Sequence, residues 1–333
     1  MTTESADPAD RQTLFAPGEL VDHRFRVKGL VGKGGMGEVY RAEAVETGET
    51  VALKIVLPDL LGSEKTRARF ENEVQWTRSI SHPNVIAIRD FFKVPGSLPG
   101  DASIPCLVME FVEGECLADV LEERGPMPCS EAAPLVRQMA SALDAAHQHN
   151  IVHRDLKPAN VLLVPEDGET RVVLTDFGVA RKLSEDSFSA SNVILGTPEY
   201  LAPEILELES AIPASDIYAL GLVFFEMVTG ERPFVGENAL DALFQRVNEP
   251  APSPRGRVPS LKRTCERVIL RCLERRPEDR YARASDLVAD LDAGDGDEPG
   301  SAIPRLSEEQ KVLAGAALFV LLMVGLLVWF YAV

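Results

Sequence analysis

Residues 151–178 read IVHRDLKPANVLLVPEDGETRVVLTDFG, and this stretch decides the fold. A polar loop, His153-Arg154-Asp155-Leu156-Lys157-Pro158-Ala159-Asn160, stands between a helix and the strand VLLV; a second strand, RVVLT, follows. From Ser130 onward Leu135, Met139, Leu143 and Ala146 recur on one helical face, so the loop is fed by a helix. Asp155 and Asn160 lie five residues apart around a tight loop and can serve different tasks, the first taking a proton and the second a metal. Asp176 opens Asp-Phe-Gly sixteen residues beyond Asn160 and offers a second hard oxygen ligand suited to magnesium. The segment closes with GTPEYLAPE, residues 196–204.

Toward the N-terminus, residues 25–43 read FRVKGLVGKGGMGEVYRAE, and VALKIV follows at 51–56. This is a strand, a glycine turn, a second strand, a Thr-Gly turn and a third strand. Behind Val31, the run Gly32-Lys33-Gly34-Gly35-Met36-Gly37-Glu38-Val39 lets a hairpin backbone lie over phosphates and aim N–H groups at them. In a dinucleotide site such glycines open a helix; here they join two strands. Lys54 is costly to bury in its apolar strand unless its ammonium has a partner. Phosphate oxygens and a helix carboxylate would provide one. Glu71 and Glu73 are both candidates on an amphipathic helix expected from about Glu64 to Ile80. Glu73, three after Phe70 and nine before His82 of the His-Pro-Asn turn, is the better placed. Two further strands end at LVMEFV (107–112), joined through a long link at 93–106. Helical stretches then recur at 216–230 and 284–291. A small sheet-rich lobe (21–112) thus precedes a larger helical lobe (113–292), an α+β arrangement.

The chain has 333 residues with 34 Lys+Arg against 52 Asp+Glu, a formal charge of −18. Nothing in it supplies a broad basic face, so nucleic acid is not expected as a partner. Hydrophobic residues at 45% and charged residues at 26% exclude wholesale disorder. Five cysteines (106, 116, 129, 265 and 272) contain no CxxC pair, so neither a disulfide framework nor a zinc site is expected. Cys265 and Cys272 are read as core packing, and the surrounding compartment as reducing.

The first 20 residues are polar and acidic, without a cleavage signal, and read as a loose leader. Residues 293–311, rich in Gly, Pro and acid, read as a linker. Residues 312–333, VLAGAALFVLLMVGLLVWFYAV, carry no charge. At about 1.5 Å per residue such a helix just spans a bilayer core of roughly 30 Å. Trp329 and Tyr331 sit at its far end, as amphipathic rings do at an interface. Arg305 and Lys311 flank its near side, which places the large domain in the cytoplasm as part of a single-pass, C-terminally anchored membrane protein. As the apolar run closes the sequence, it is expected to display no folded domain beyond the membrane.

Together these motifs resemble the eukaryotic-like (Hanks-type) serine/threonine protein kinase family over residues 25–292. GKGGMGEVY and GTPEYLAPE look most like the bacterial membrane-anchored members. The resemblance implies a bilobal protein kinase fold and transfer of the ATP γ-phosphate to protein Ser/Thr hydroxyls. Magnesium is the metal it implies, with manganese as the alternative. Residue by residue, it implies that Val31 to Val39 cover the phosphates, while Lys54 holds the α/β-phosphates and pairs with Glu73. Ala52 would pack on adenine, Met109 would guard the pocket, and the backbones of Glu110 and Val112 would bond the base. Glu113 would reach toward the ribose. Asp155 would take the substrate proton, Lys157 would stabilise the γ-phosphate, and Asn160 and Asp176 would ligate the metal. Thr197 would brace the loop against Asp155, Glu204 would pair with Arg280, and Asp216 would tie the catalytic loop to the helix core. His147 and Asn150 fit no such role and are read as structural.

Arg154 before the catalytic Asp implies an activation loop ordered by phosphorylation, and Ser187, Ser189 and Ser191 are the expected autophosphorylation sites. Thr77 stands where the family's spine carries an aliphatic residue, which would loosen the helix bearing Glu73. The rival reading is a nucleotide-binding pseudokinase scaffold. Its signature is a lost lysine, aspartate or metal ligand, and none is lost. The terminal helix would either favour self-association by raising local concentration or pack on a membrane partner through Gly315 and Gly325.

Overall fold

The structure is a computed structural model that describes residues 13–35, 37–57, 64–95, 103–177, 198–205, 211–236 and 239–294. Among these, the small lobe is an antiparallel sheet built from β1 (Leu20–Val21), β2 (Phe25–Gly34), β3 (Gly37–Ala44), β4 (Thr50–Val56), β5 (Ile88–Val94) and β6 (Ile104–Glu110). The strand order is β1-β2-β3-β4-β6-β5. Side chains alternate across its two faces. Tyr40, Ala42, Leu53 and Ile55 pack on one face with Val27 and Cys106. Ala52, Val56, Leu107 and Met109 pack on the other against Phe70 and Val74 of α1 (Glu64–Arg78). Phe70 and Val74 are four apart and so share one side of that helix. At the centre of the sheet β4 and β6 are covered on both faces, which is why these two strands are almost wholly apolar.

The β2–β3 hairpin pairs Lys33 with Glu38 and Gly34 with Gly37. Gly37 has φ of 146°, and a Cβ there would sit 1.8 Å from the Ile55 carbonyl oxygen. Glycine is therefore obligatory where the hairpin crosses β4.

The larger lobe contains α2 (Leu117–Arg124), α3 (Cys129–Gln148), α4 (Pro213–Thr229), α5 (Ala239–Asn248), α6 (Arg263–Cys272) and α7 (Ala284–Asp292). Leu135, Met139, Leu143 and Ala146 of α3 are all buried, as their spacing requires. Helix α4 is buried without interruption from Ser215 to Phe225. It crosses α6 so closely that a Cβ on Gly221 would lie 2.6 Å from that of Cys272. A short sheet, β7 (Glu115–Cys116), β8 (Val161–Glu166) and β9 (Glu169–Leu174), lies beside them in the order β7-β8-β9. Asp167 and Gly168, at φ of 46° and 87°, turn β8 into β9. An Asp-Gly pair tolerates those angles.

The turn after α1 is built into the larger lobe. Ile80 and Val85 belong to its core. Asn84 Nδ2 donates to Gln138 of α3 at 2.9 Å and to the Val172 carbonyl of β9 at 2.7 Å.

The cysteine expectation needs correction at one pair. Cys129, at the start of α3, and Cys265, in α6, are joined as a disulfide across 136 residues. Cys106, Cys116 and Cys272 are free. Two helix starts meet here, and no local spacing announces it.

The chain divides into compact units Met1–Asp292 and Ala293–Val333. The apolar run 312–333 lies outside the described residues. Among those described, no helix is long and apolar enough to cross a membrane. The leader expected over 1–20 is described from Thr13 onward, and residues 14–19 hydrogen-bond to β2 and β3.

Candidate active site

The loop after α3 is organised by one buried carboxylate. Asp216, in the first turn of α4, accepts the N–H of His153 at 2.7 Å, the N–H of Arg154 at 2.9 Å and His147 Nε2–H at 2.8 Å. Burial works to raise its pKa. The hydrogen bond and charge of His147, with His153 adding to them, outweigh that and hold the carboxyl below its ordinary range. Two successive amides can aim at one acceptor here because Arg154 adopts a left-handed backbone, φ 65°. That costs a non-glycine residue energy, which the Asp216 bonds offset. The tie expected of Asp216 is thus present. His147, read as structural, is its third donor. It was invisible because nothing in the sequence relates a helix-end histidine to an aspartate 69 residues later.

Asp155 is buried at the bottom of the loop. Its Oδ2 accepts Asn160 Nδ2–H at 3.0 Å and lies 2.9 Å from Lys157 Nζ. Asn160 Nδ2 also donates to the Asp155 carbonyl at 2.7 Å. The amide nitrogen of Asn160 is therefore committed to Asp155, and its oxygen is left as a hard donor. Asp176, also left-handed at φ 57°, contributes a half-exposed carboxylate. One amide oxygen and one carboxylate suit a hard divalent cation. Phe177 follows and lays its buried ring 4.4 Å from that of His153, centroid to centroid. His153 Nε2 lies 3.0 Å from the Thr175 carbonyl, and burial holds this imidazole's pKa down, hence neutral.

The expected Lys54–Glu73 pair is replaced by a different pairing. Lys54 Nζ contacts Asp176 Oδ1 at 2.5 Å, and Glu73 Oε1 accepts from Arg154 at 2.6 Å. Spacing located both carboxylates and both cations. It could not say which cation the helix carboxylate would face, because the Arg154 side chain is aimed by its own left-handed backbone.

Around the cleft, Ala52 pairs with Met109 across β4 and β6, and both are buried. Val39 packs on the same face. The Glu110 N–H donates to the Ala87 carbonyl at 3.0 Å and is therefore already engaged. Val112 is half-buried beside it, and Glu113 is exposed and paired with Arg41 at 3.3 Å. Val31, Gly32, Lys33, Gly34 and Gly35 are exposed along the hairpin. Met36, Thr197 and the serines at 184–191 lie outside the described residues. Glu38 departs from its expected place. Its side chain is buried on the sheet face opposite Val39, so only its backbone belongs to the phosphate-covering turn. Thr77 is buried.

The Glu204–Arg280 pair is bidentate, at 2.8 and 2.7 Å. Arg246 of α5, not singled out from the sequence, is buried and donates to the carbonyls of Leu201 at 3.0 Å and Glu199 at 2.5 Å. Together these arginines hold the segment 198–205 against the helical lobe.

A two-lobed fold with a glycine hairpin, a strand lysine, and an Asp-Lys-Asn loop beside Asp176 and Phe177 defines a class. The model of the protein kinase domain matches residues 25–290, and the chain belongs to the protein kinase family. Among its relatives are bacterial serine/threonine kinases. It is 36% identical over 274 residues to serine/threonine-protein kinase PrkC of Bacillus subtilis, covering 82% of this chain and 41% of that one. It is 34% identical over 279 residues to serine/threonine-protein kinase PknB of Mycobacterium leprae, covering 84% and 44%. The chain thus spans less than half the length of these curated relatives. The crystal structure of the Mycobacterium tuberculosis PknI kinase domain matches with a TM-score of 0.66 at 26% identity, over 84% of this chain and 99% of that one.

Proposed function

We propose that this chain is a serine/threonine protein kinase that moves the γ-phosphate of ATP to protein hydroxyls. In this reading residues 312–333 anchor it in a membrane with the kinase domain on the cytoplasmic side. The observation that supports the chemistry is the convergence of Asp155, Lys157 and Asn160 on one loop, with Asp176 and Lys54 in contact beside it. Phosphoryl transfer needs two oxygens held in line and positive charge around the moving group. Asp155, held by Asn160 and Lys157, would orient the substrate hydroxyl and take its proton at Oδ. Lys157 would face the transferred group, and Lys54 the α/β-phosphates. The Asn160 amide oxygen and the Asp176 carboxylate would hold magnesium, or manganese, which neutralises charge on phosphate oxygens when bound.

Arg154 gives the regulatory part of the reading. Its guanidinium now serves Glu73. Phosphorylation at Ser187, Ser189 or Ser191 would bring a competing dianion to it.

The test is transfer of labelled phosphate from ATP with magnesium, using full-length protein in lipid, with a generic basic protein as added acceptor. Wild type should label itself and the acceptor, and Asp155→Asn should label neither. Wild type that binds ATP but transfers nothing would make the chain a scaffold. Phosphopeptides from active enzyme with all three serines unmodified would remove the loop proposal alone.

A further inference from the structure

The residue between Gly37 and Val39 does something the nucleotide site does not explain. Strand β3 alternates, so Val39 faces the Ala52–Met109 side while Glu38 and Tyr40 face the other. There Glu38 is 3% exposed. Its Oε2 accepts the N–H of Leu14 at 2.9 Å and the hydroxyl of Tyr40, and its Oε1 lies 2.9 Å from Lys33 Nζ at the hairpin tip. Tyr40 Oη in turn accepts the Phe15 N–H at 3.2 Å, and the two rings meet edge to face at 5.8 Å. The chain then runs on along β2, with Gly18 N–H donating to the Val27 carbonyl at 2.8 Å and Val27 N–H to the Glu19 carbonyl at 2.9 Å.

A Cβ added at Gly32, Gly34 or Gly35 would meet nothing within 4 Å, so side-chain packing does not locate these residues. Gly37, pressed on Ile55, fixes only the far side of the turn. Burial works to raise the Glu38 pKa, but hydrogen bonds from Tyr40, Leu14 and Lys33 outweigh it and keep the carboxylate ionised. Burial and the same carboxylate push the Tyr40 phenol up to about 12.

We propose that Glu38 is a positioning residue that clamps the phosphate-covering hairpin, through Lys33, to the segment at Leu14–Phe15, making the chain ahead of β1 a working part of the nucleotide site. This rests on the reading of that hairpin as a nucleotide cover. Glu38 touches no nucleotide atom; it acts by limiting where the glycine turn can go. An unclamped turn must be ordered by the nucleotide on binding, and that cost falls on affinity.

The test uses full-length protein in detergent and calorimetric titration with magnesium and AMP-PNP. The variants are Glu38→Ala, Glu38→Gln, Tyr40→Phe and a chain lacking residues 1–16. Glu38→Ala and the truncation should each weaken nucleotide binding about tenfold, the scale of a lost hydrogen bond to a charged group. Combined, they should do no more than either alone. Glu38→Gln keeps an acceptor for Leu14 but turns an amide N–H toward Lys33, so it should lose affinity as Glu38→Ala does while the tie to Leu14 remains. In phosphate transfer, KM for ATP should rise while kcat at saturating ATP stays within about twofold. A structural role alone would lower apparent kcat through loss of folded enzyme and leave KM unchanged. Should Glu38→Ala fail to fold, the truncation and Tyr40→Phe carry the same comparison. Variants that bind as wild type does, or whose effects multiply, overturn the clamp. Wild type that binds no AMP-PNP overturns the nucleotide site and the clamp together; wild type that binds it without transferring phosphate overturns only the transfer.

Discussion

Replacing Arg280 by Met tests how the segment 198–205 is held. The Arg280 and Glu204 side chains are 0% and 4% exposed and meet through two bonds. Arg280 also donates to the carbonyls of Glu274, Ala214 and Arg275 at 2.8, 2.8 and 3.0 Å. Glu204 accepts one further bond, from Ser215 Oγ at 2.7 Å. Arg280→Met therefore strands a buried carboxylate on a single hydroxyl. Breaking one side of a buried pair costs about 3–5 kcal/mol. Glu204→Leu should cost less, since the cation keeps three carbonyls. Removing both partners leaves neither charge stranded, so the double variant should be more stable than the sum of the singles predicts, by about 2 kcal/mol. The assay is urea unfolding of the full-length chain followed by far-UV circular dichroism. At a slope of about 3 kcal/mol per molar, Arg280→Met should lower the midpoint by about 1–1.7 M. A loss under about 1 kcal/mol, or costs that simply add, would refute the reasoning that charge burial dominates here.

Three further outcomes are expected. His153 is neutral because burial depresses its folded pKa below the ordinary 6.5. Its contribution is thus present above that value and lost as pH falls through the lower folded value, so stability should decline below about pH 6.5. His153→Gln should flatten that slope in thermal melts taken at successive pH values, and an unchanged slope would assign it to other groups. Gly37→Ala should cost at least about 1–3 kcal/mol and weaken nucleotide binding, because its Cβ would meet Ile55; an unshifted melting temperature would contradict the close approach. Reduction of Cys129–Cys265, which closes a span of 136 residues, should cost about 2–5 kcal/mol. Melting with and without reductant measures it, and Cys129→Ser should abolish the difference.

The two-lobed plan was legible because each motif carries a local constraint. VALKIV and LVMEFV are too apolar to be anything but covered strands, and α3 shows its buried face at helical spacing. The Glu204–Arg280 pair and the Asp216 tie came with the family resemblance and are present as it implied. Contacts between distant segments were harder. His147 reaches Asp216 only because α3 ends beside α4. Arg246 finds its carbonyls only because α5 lies under residues 199–201. Cys129 finds Cys265 by the meeting of two helix starts. The pairing of Glu73 with Arg154 depends on a backbone angle, and a residue list does not encode that. Glu38 was misplaced for a simpler reason. A glycine motif is read as a string, whereas a strand sends each successive side chain to the opposite face.

The anchoring of Asn84 to Gln138 and Val172 has a geometric consequence for α1. One end of the helix is pinned to the larger lobe just past Arg78, so a swing of α1 turns about that end as a lever on a pivot. Glu73 lies five residues from the pivot, a lever arm of about 7.5 Å at 1.5 Å per residue. The helix start at Glu64 lies about 21 Å out. A turn of about 10° would carry Glu73 little more than 1 Å while sweeping the start of the helix by about 4 Å. Whatever touches the far end of α1 therefore works with roughly threefold mechanical advantage over the Glu73 carboxylate that holds Arg154.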